Sequence, residues 1–227
     1  MLPAVRDLAL RLGADHDVRN ATIRLKQSGH MQQPGGAWRS FRASQSIDTA
    51  RCAFDWRART GPGGLLSVRD ALTADGARLE VRLLGFRVDG AGGSAALWRG
   101  ELMRYLAELA WAPDAILHNH ALRWRTDGPD RFIVGAGQGD TETEIMLDLG
   151  SDGRIAGAFA PDRPRSPKPS FLPTPWQGRF TDYCRHGTRW LPFAAEVGWV
   201  IDGVEAIYWQ GRLDKWTIEA ATDRINS

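Results

Sequence analysis

Two histidines stand two residues apart in "ILHNHALRW", residues 116 to 124. On an extended backbone His118 and His120 would point to one side, where a pair of imidazoles can ligate a metal or move a proton. A metal needs at least a third ligand. The cupin type of barrel supplies it with a glutamate and a glycine soon after its His-x-His pair, whereas "ALRWRT" follows here. No metal and no cofactor are expected, and the pair reads as a polar turn at a pocket rim or as acid–base residues. Carboxylates beside aromatics form a second set: Glu101 with Glu108 near Trp98 and Trp111, and Asp182 with Glu196 near Tyr183 and Trp199. Apolar surroundings raise a carboxyl pKa and suit it to general acid or base work, while an arginine holds it ionised. Only Lys26, Lys168 and Lys215 are lysines among 29 basic residues, so guanidinium partners abound and salt-bridged structural carboxylates are the simpler reading. Cys184 and His186 in "DYCRHG" are spaced for a thiol–imidazole pair, but nothing marks the thiol as activated. "GAGQG", 135 to 139, lacks the helix and the Lys-Ser/Thr pair of a phosphate loop and reads as a glycine-rich hairpin.

The elements that must position these residues are mostly strands. From residue 21 to about 88 the apolar positions recur every second residue: Ile23 and Leu25, then Phe54, Trp56 and Ala58, then Leu79, Val81 and Leu83. "PGGAW", "TGPGG" and "ADGA" supply turns, so an antiparallel meander is predicted. One strong helix follows, with Ser94 as N-cap and Trp98, Leu102, Tyr105, Leu106 and Leu109 as its apolar stripe, running to Ala110. A short helix, 3 to 12, opens the chain, and Pro113 starts a further turn before the histidines. Strands resume at "ALRWRT", "RFIVGA", "TEIMLDL" and "RIAGAFA", and later at "GRFTDYC", "FAAEVGWV", "AIYWQGRL" and "KWTIEA". The proline-rich "PDRPRSPKPSFLPTPW", 161 to 176, is read as a long loop or lid within one sheet.

At 227 residues with one continuing strand pattern, a single domain spanning 1–227 is expected. A formal charge of +2 gives no global field to recruit nucleic acid or an anionic membrane. Arg6, Asp7 and Arg11 interrupt the first apolar stretch, and no window approaches the roughly 20 apolar residues of a spanning helix, so no membrane insertion and a cytoplasmic location are expected. Cys52 and Cys184 are expected as free thiols. Ten tryptophans are the compositional oddity: flat amphipathic rings that fill cores and line small-molecule pockets.

The order "GELMRYLAELAWAP", "LRW", "DGRI", "TPWQG", "DY", "EVGW", "IYWQGRL", with "FRASQ", "FDWRAR" and "LLGFRV" before it, is similar to an uncharacterised bacterial family of unknown function. The similarity covers almost the whole chain. The resemblance implies a mainly β (α+β) fold like that of the periplasmic lipoprotein carriers: a strongly curved antiparallel sheet, a half-barrel closed by one long and one or two short helices over an apolar concave face. It places motif positions at Glu101, Arg104, Tyr105, Glu108, Trp111, Pro113, Arg163, Trp176, Gly178, Tyr183, Glu196, Trp199 and Tyr208, and it brings no catalytic assignment. His-Asn-His replaces the small or turn residues usual before "LRW".

Three functions are compatible with this reading. The first is binding of an apolar or aromatic small molecule, with Trp111, Trp176, Tyr183, Trp199 and Tyr208 as surface and Glu196 and Arg163 fixing a polar end. The alternative is a cofactor-independent cyclase, isomerase or hydratase, with His118 or His120 as acid or base and Asp182, Glu101 or Glu108 as partner. The third is a partner-binding module using the proline-rich stretch.

Overall fold

Alternating apolar residues become strands throughout, and all thirteen strands among the described residues join one antiparallel sheet. The computed structural model describes residues 1–33, 35–166 and 171–220. The strands are β1 (Ala21–Gln32), β2 (Trp38–Asp48), β3 (Phe54–Thr60), β4 (Leu66–Thr73), β5 (Gly76–Leu83), β6 (Phe86–Gly92), β7 (Arg123–Thr126), β8 (Arg131–Ala136), β9 (Thr143–Leu149), β10 (Ile155–Arg165), β11 (Leu172–His186), β12 (Arg189–Ile201) and β13 (Val204–Ala220). The helices are α1 (Pro3–Arg11), α2 (Ala95–Ala107) and α3 (Pro113–His118). The sheet order is β6-β5-β4-β3-β2-β1-β13-β12-β11-β10-β9-β8-β7. The chain therefore starts at the centre, walks to one edge, crosses to the other edge through α2 and α3, and walks back until β13 pairs with β1.

The sheet curls strongly into a half-barrel. Irregular register at Lys26/Gln27 against β13, at Val197/Gly198 and between Ala160 and Arg163 adds local twist. At the β1–β13 seam Gly29 lies opposite Gly211. A Cβ on Gly29 would sit 2.0 Å from the Gln210 carbonyl oxygen, so that position admits only hydrogen, and one on Gly211 would sit 2.1 Å from the Trp209 ring, which would have to move.

Helix α2 lies in the concavity. Its Ser94 cap accepts from Leu97 N at 3.1 Å, and Leu102, Tyr105 and Leu106 are fully buried against Ile23, Leu25, Ile47 and Leu72 from the sheet. The helix gives way to a 3₁₀ turn at Glu108–Trp111, earlier than the predicted stop at Ala110. Helices α1 and α3 close one end: Trp190 N donates to Leu12 O at 2.9 Å, and Arg189 grips Asp114 through Nε and Nη2, both at 2.8 Å. Asp114 is wholly buried, so this bidentate pair ties the helix to β12.

Two expectations about strands change. The proline-rich stretch is mostly hairpin arms rather than loop, since 161–165 and 172–176 are strand; residues 167–170 lie outside the described residues. Pro164 faces Pro173, which an antiparallel ladder tolerates because alternate opposed pairs exchange no hydrogen bond. The predicted "AIYWQGRL" and "KWTIEA" are one 17-residue strand, with Asp214 left out of the pairing at the bulge. Cys52 and Cys184 are both free.

Candidate functional site

One row of inward-facing positions runs across four strands: Leu25, Gln45, Trp56 and Asp70 are successive register partners. Each polar member interrupts an otherwise apolar face, Gln45 between Ala43 and Ile47 and Asp70 between Val68 and Leu72. Opposite them α2 and its C-cap present Glu101, Arg104 and Glu108, spaced three and four apart so that they share one face. Arg104 donates from Nε to Glu108 at 2.9 Å and from Nη1 to Asp70, and its guanidinium lies 4.9 Å from the Phe54 ring and 5.0 Å from that of Trp56. Gln45 Nε2 donates to the other Glu108 oxygen, and Trp56 Nε1 donates to Gln27 at 3.0 Å. The charges are thus fixed by a network that spans helix and sheet.

Within this network, Asp70 Oδ1 and Glu101 Oε2 accept nothing from any described N–H or O–H. The two carboxyls lie close together, so each disfavours a second charge beside it. Burial pushes Glu101 well above the ordinary glutamate range, the Asp70 charge adds to the rise, and Arg163 and Arg104 oppose it. Burial and the neighbouring Asp70 charge thus favour the neutral form of Glu101.

Between this helix face and strands β1, β11, β12 and β13 lies a cavity of about 200 Å³. Trp111, Trp176, Phe180, Tyr208 and Trp209 form its aromatic wall, and Asp70, Arg104, Glu108 and Arg163 its polar side. The rings are held by bonds at their rims: Trp111 Nε1 donates to Pro192 O at 2.8 Å and Trp176 Nε1 to Tyr208 Oη at 3.0 Å. Edge packing of Trp111 on Phe180, centroids 5.4 Å apart, fixes the floor. An aromatic enclosure with a few convergent polar groups is the usual form of a small-molecule site.

The structure brings together Trp111, Arg163, Trp176, Tyr208 and Glu108 on this cavity, with Glu101 just behind Asp70. Trp199 stacks behind Tyr208 at 5.8 Å. Tyr183 donates to Ile155 O at 2.8 Å and does not line the cavity. Glu196 is on the outer face, bonded to Arg179 at 2.8 Å beside an open groove of about 1080 Å³ that Arg42, Arg59 and Arg212 also border. That groove is larger and more open, with exposed arginines along its rim and the buried Phe41 and Ala195 at its base. Asp182 is exposed and paired with Arg212 at 3.3 Å. His118 donates from Nε2 to Asp15 O at 2.7 Å, His120 is exposed, and neither reaches the cavity. His186 packs against Trp216 at 5.8 Å while Cys184 is exposed. Among the described residues no three His, Cys, Asp or Glu side chains converge as a metal site, and no helix is long and apolar enough to cross a membrane. Sequence reasoning passed over Asp70, Gln45 and Gln27; the available signal was a polar residue at an inward position of an apolar strand face.

A curled antiparallel half-barrel, with a helix in its concavity and an aromatic cavity beneath, defines the class of protein. Within it, the chain belongs to DUF6544, a family of unknown function whose pattern matches residues 3–211. Its fold is similar to that of a LolA-superfamily protein from Nitrosomonas europaea, at 8% identity and a TM-score of 0.50, covering 98% of this chain and 97% of that one. A lipoprotein-sorting protein domain from Vibrio parahaemolyticus, described as a putative outer-membrane one, is similar at 10% identity and a TM-score of 0.50, covering 97% and 93%. No curated protein matches the chain. At these identities the likeness is one of fold.

Proposed function

We propose that the protein binds an apolar or aromatic small molecule in the cavity between α2 and the concave face. The observation that carries this reading is the aromatic enclosure of about 200 Å³, built from Trp111, Trp176, Phe180, Tyr208 and Trp209 with a few polar groups among them. Covering a ring against such a wall gains about 25 cal/mol per Å² of apolar area removed from water. The likeness to carrier half-barrels supports the reading at the level of shape. The test is titration with the neutral probe N-phenyl-1-naphthylamine. Its emission is expected to rise to a 1:1 plateau, and Trp176→Ala is expected to weaken binding about tenfold or more; no saturable signal in the wild type would sink the proposal.

A second reading, proton-transfer chemistry in the same cavity, is favoured by Asp70, which borders the cavity beside Glu101, a carboxyl whose neutral form burial favours. It requires that a bound compound turn over and that Asp70→Asn abolish turnover without abolishing probe binding. Retained turnover in Asp70→Asn would eliminate this reading.

A further inference from the structure

Buried arginines in this protein are matched by carboxylates, with one departure at the cavity. Arg104 holds Asp70 and Glu108, and Arg189 holds Asp114. Arg163 is as buried as Arg189, at 8% exposure, yet it has no ion pair among the described residues. Its Nε donates to Gly100 O at 3.2 Å and its Nη1 reaches Tyr208 Oη at 3.5 Å, while no described residue accepts from Nη2. The flat faces of the guanidinium are taken, with its carbon 4.7 Å from the Trp176 ring and 5.7 Å from that of Trp199. What is left is the edge, two nitrogens of a planar fork on a residue that lines the cavity. A buried cation without a partner is costly, and a fork of this shape matches two coplanar oxygens.

The other charged groups narrow the choice. Asp70 and Glu108 are both bonded to Arg104, and Glu101 makes no ion pair with Arg163, whose bonds go to Gly100 O and Tyr208 Oη, so none of the three carboxyls occupies the Arg163 fork. The same two acids border the cavity and would repel a doubly charged phosphate head more strongly than a singly charged one. The volume, about 200 Å³, lies below the roughly 300–1,000 Å³ of sites for drug-sized ligands and limits the body to a fused-ring or short-chain size.

Resting on the cavity reading above, we propose that the ligand is a small aromatic or apolar monocarboxylic acid, its carboxylate on the open edge of Arg163 and its body against Trp176, Tyr208 and Trp209. Arg163 is then the residue that sets ligand class, and the aromatic wall sets ligand size.

The test compares 2-naphthoic acid with 2-naphthamide, the same body with the charge removed, by tryptophan fluorescence and calorimetry at pH 7. The acid is expected to bind about tenfold tighter or better. Arg163→Met is expected to reduce the acid to the affinity of the amide while leaving the amide unchanged; Arg163→Lys, which keeps the charge and loses the fork, is expected to keep part of the difference. Equal binding of acid and amide by the wild type, or a difference that survives Arg163→Met, overturns this inference and leaves the cavity reading standing. Failure of both compounds and of N-phenyl-1-naphthylamine overturns both. Should Arg163→Met not fold, the wild-type comparison and Arg163→Lys decide.

Discussion

Glu101 is buried at 5% exposure with one oxygen facing only another carboxyl, so the folded chain holds its proton more tightly than the unfolded chain does. A glutamate whose folded pKa is raised makes stability fall as pH rises from the unfolded value, about 4.3, through the folded one. Glu101→Gln keeps the neutral form at all pH values. Its melting temperature relative to wild type is therefore expected to improve between pH 4 and pH 8, and a difference independent of pH would contradict the proton assignment. Arg104 acts in the opposite sense: Arg104→Met strands Asp70 and Glu108 without their cation, with an expected loss of about 3–5 kcal/mol in denaturant unfolding. Adding Glu108→Gln should recover part of that loss, since one of the two stranded charges is gone. Glu101 and Glu108 could be picked out from sequence because helical spacing places them on one face. Asp70 and Gln45 could not be matched to them, because their neighbours are set by strand register over 31 to 63 residues of separation: Asp70 meets Glu101, and Gln45 meets Glu108. His118 and His120 drew attention by spacing alone; at a helix end the two positions turn apart, and one ring is used up on a backbone carbonyl.

Among the elements, α2 was the most legible and also the most consequential. Its apolar stripe follows from 3.6-residue periodicity and its start from the Ser94 cap, while its end fell short of Ala110, and Ser94→Ala is expected to cost about 1 kcal/mol through the lost bond to Leu97 N. That loss should appear as a lower melting temperature with unchanged probe affinity if the cap only stabilises the helix. Strands were legible wherever alternation was uninterrupted. They were obscured where proline replaced the usual β-formers, as in the arms of the β10–β11 hairpin, and where a bulge displaced the alternation, as at Asp214 in β13. The curl itself left almost no trace in composition or periodicity, and the meeting of Gly29 with Gly211 across the seam is set by a register that alternation does not fix. Gly29→Val would drive its side chain into the backbone of β13, and soluble, folded protein from that variant would show that the seam has slack.

For the whole molecule, the feature with the widest reach is the seam between the first strand and the last. Strands β1–β6 and β7–β13 each pair with sequence neighbours, and the half-barrel exists only once β1 and β13 meet. The cavity depends on that meeting, since Trp56 and Asp70 come from one half and Trp176 and Tyr208 from the other. Contacts between residues so distant in the chain are slow to form, so probe binding is expected to return in refolding experiments no earlier than the slowest phase seen by tryptophan emission. Ala21 lies directly opposite Ala220, which places the start of the first strand beside the end of the last. Read as a closed loop, the sequence is then a plain up-and-down meander from β7 through β13 and β1 to β6, and the natural chain is that meander opened in the middle. A circular permutant joined across this point and reopened in the short connection between Asn119 and Arg123 is expected to keep every strand pairing, since each of them lies within one arm of the meander or at the β1–β13 seam.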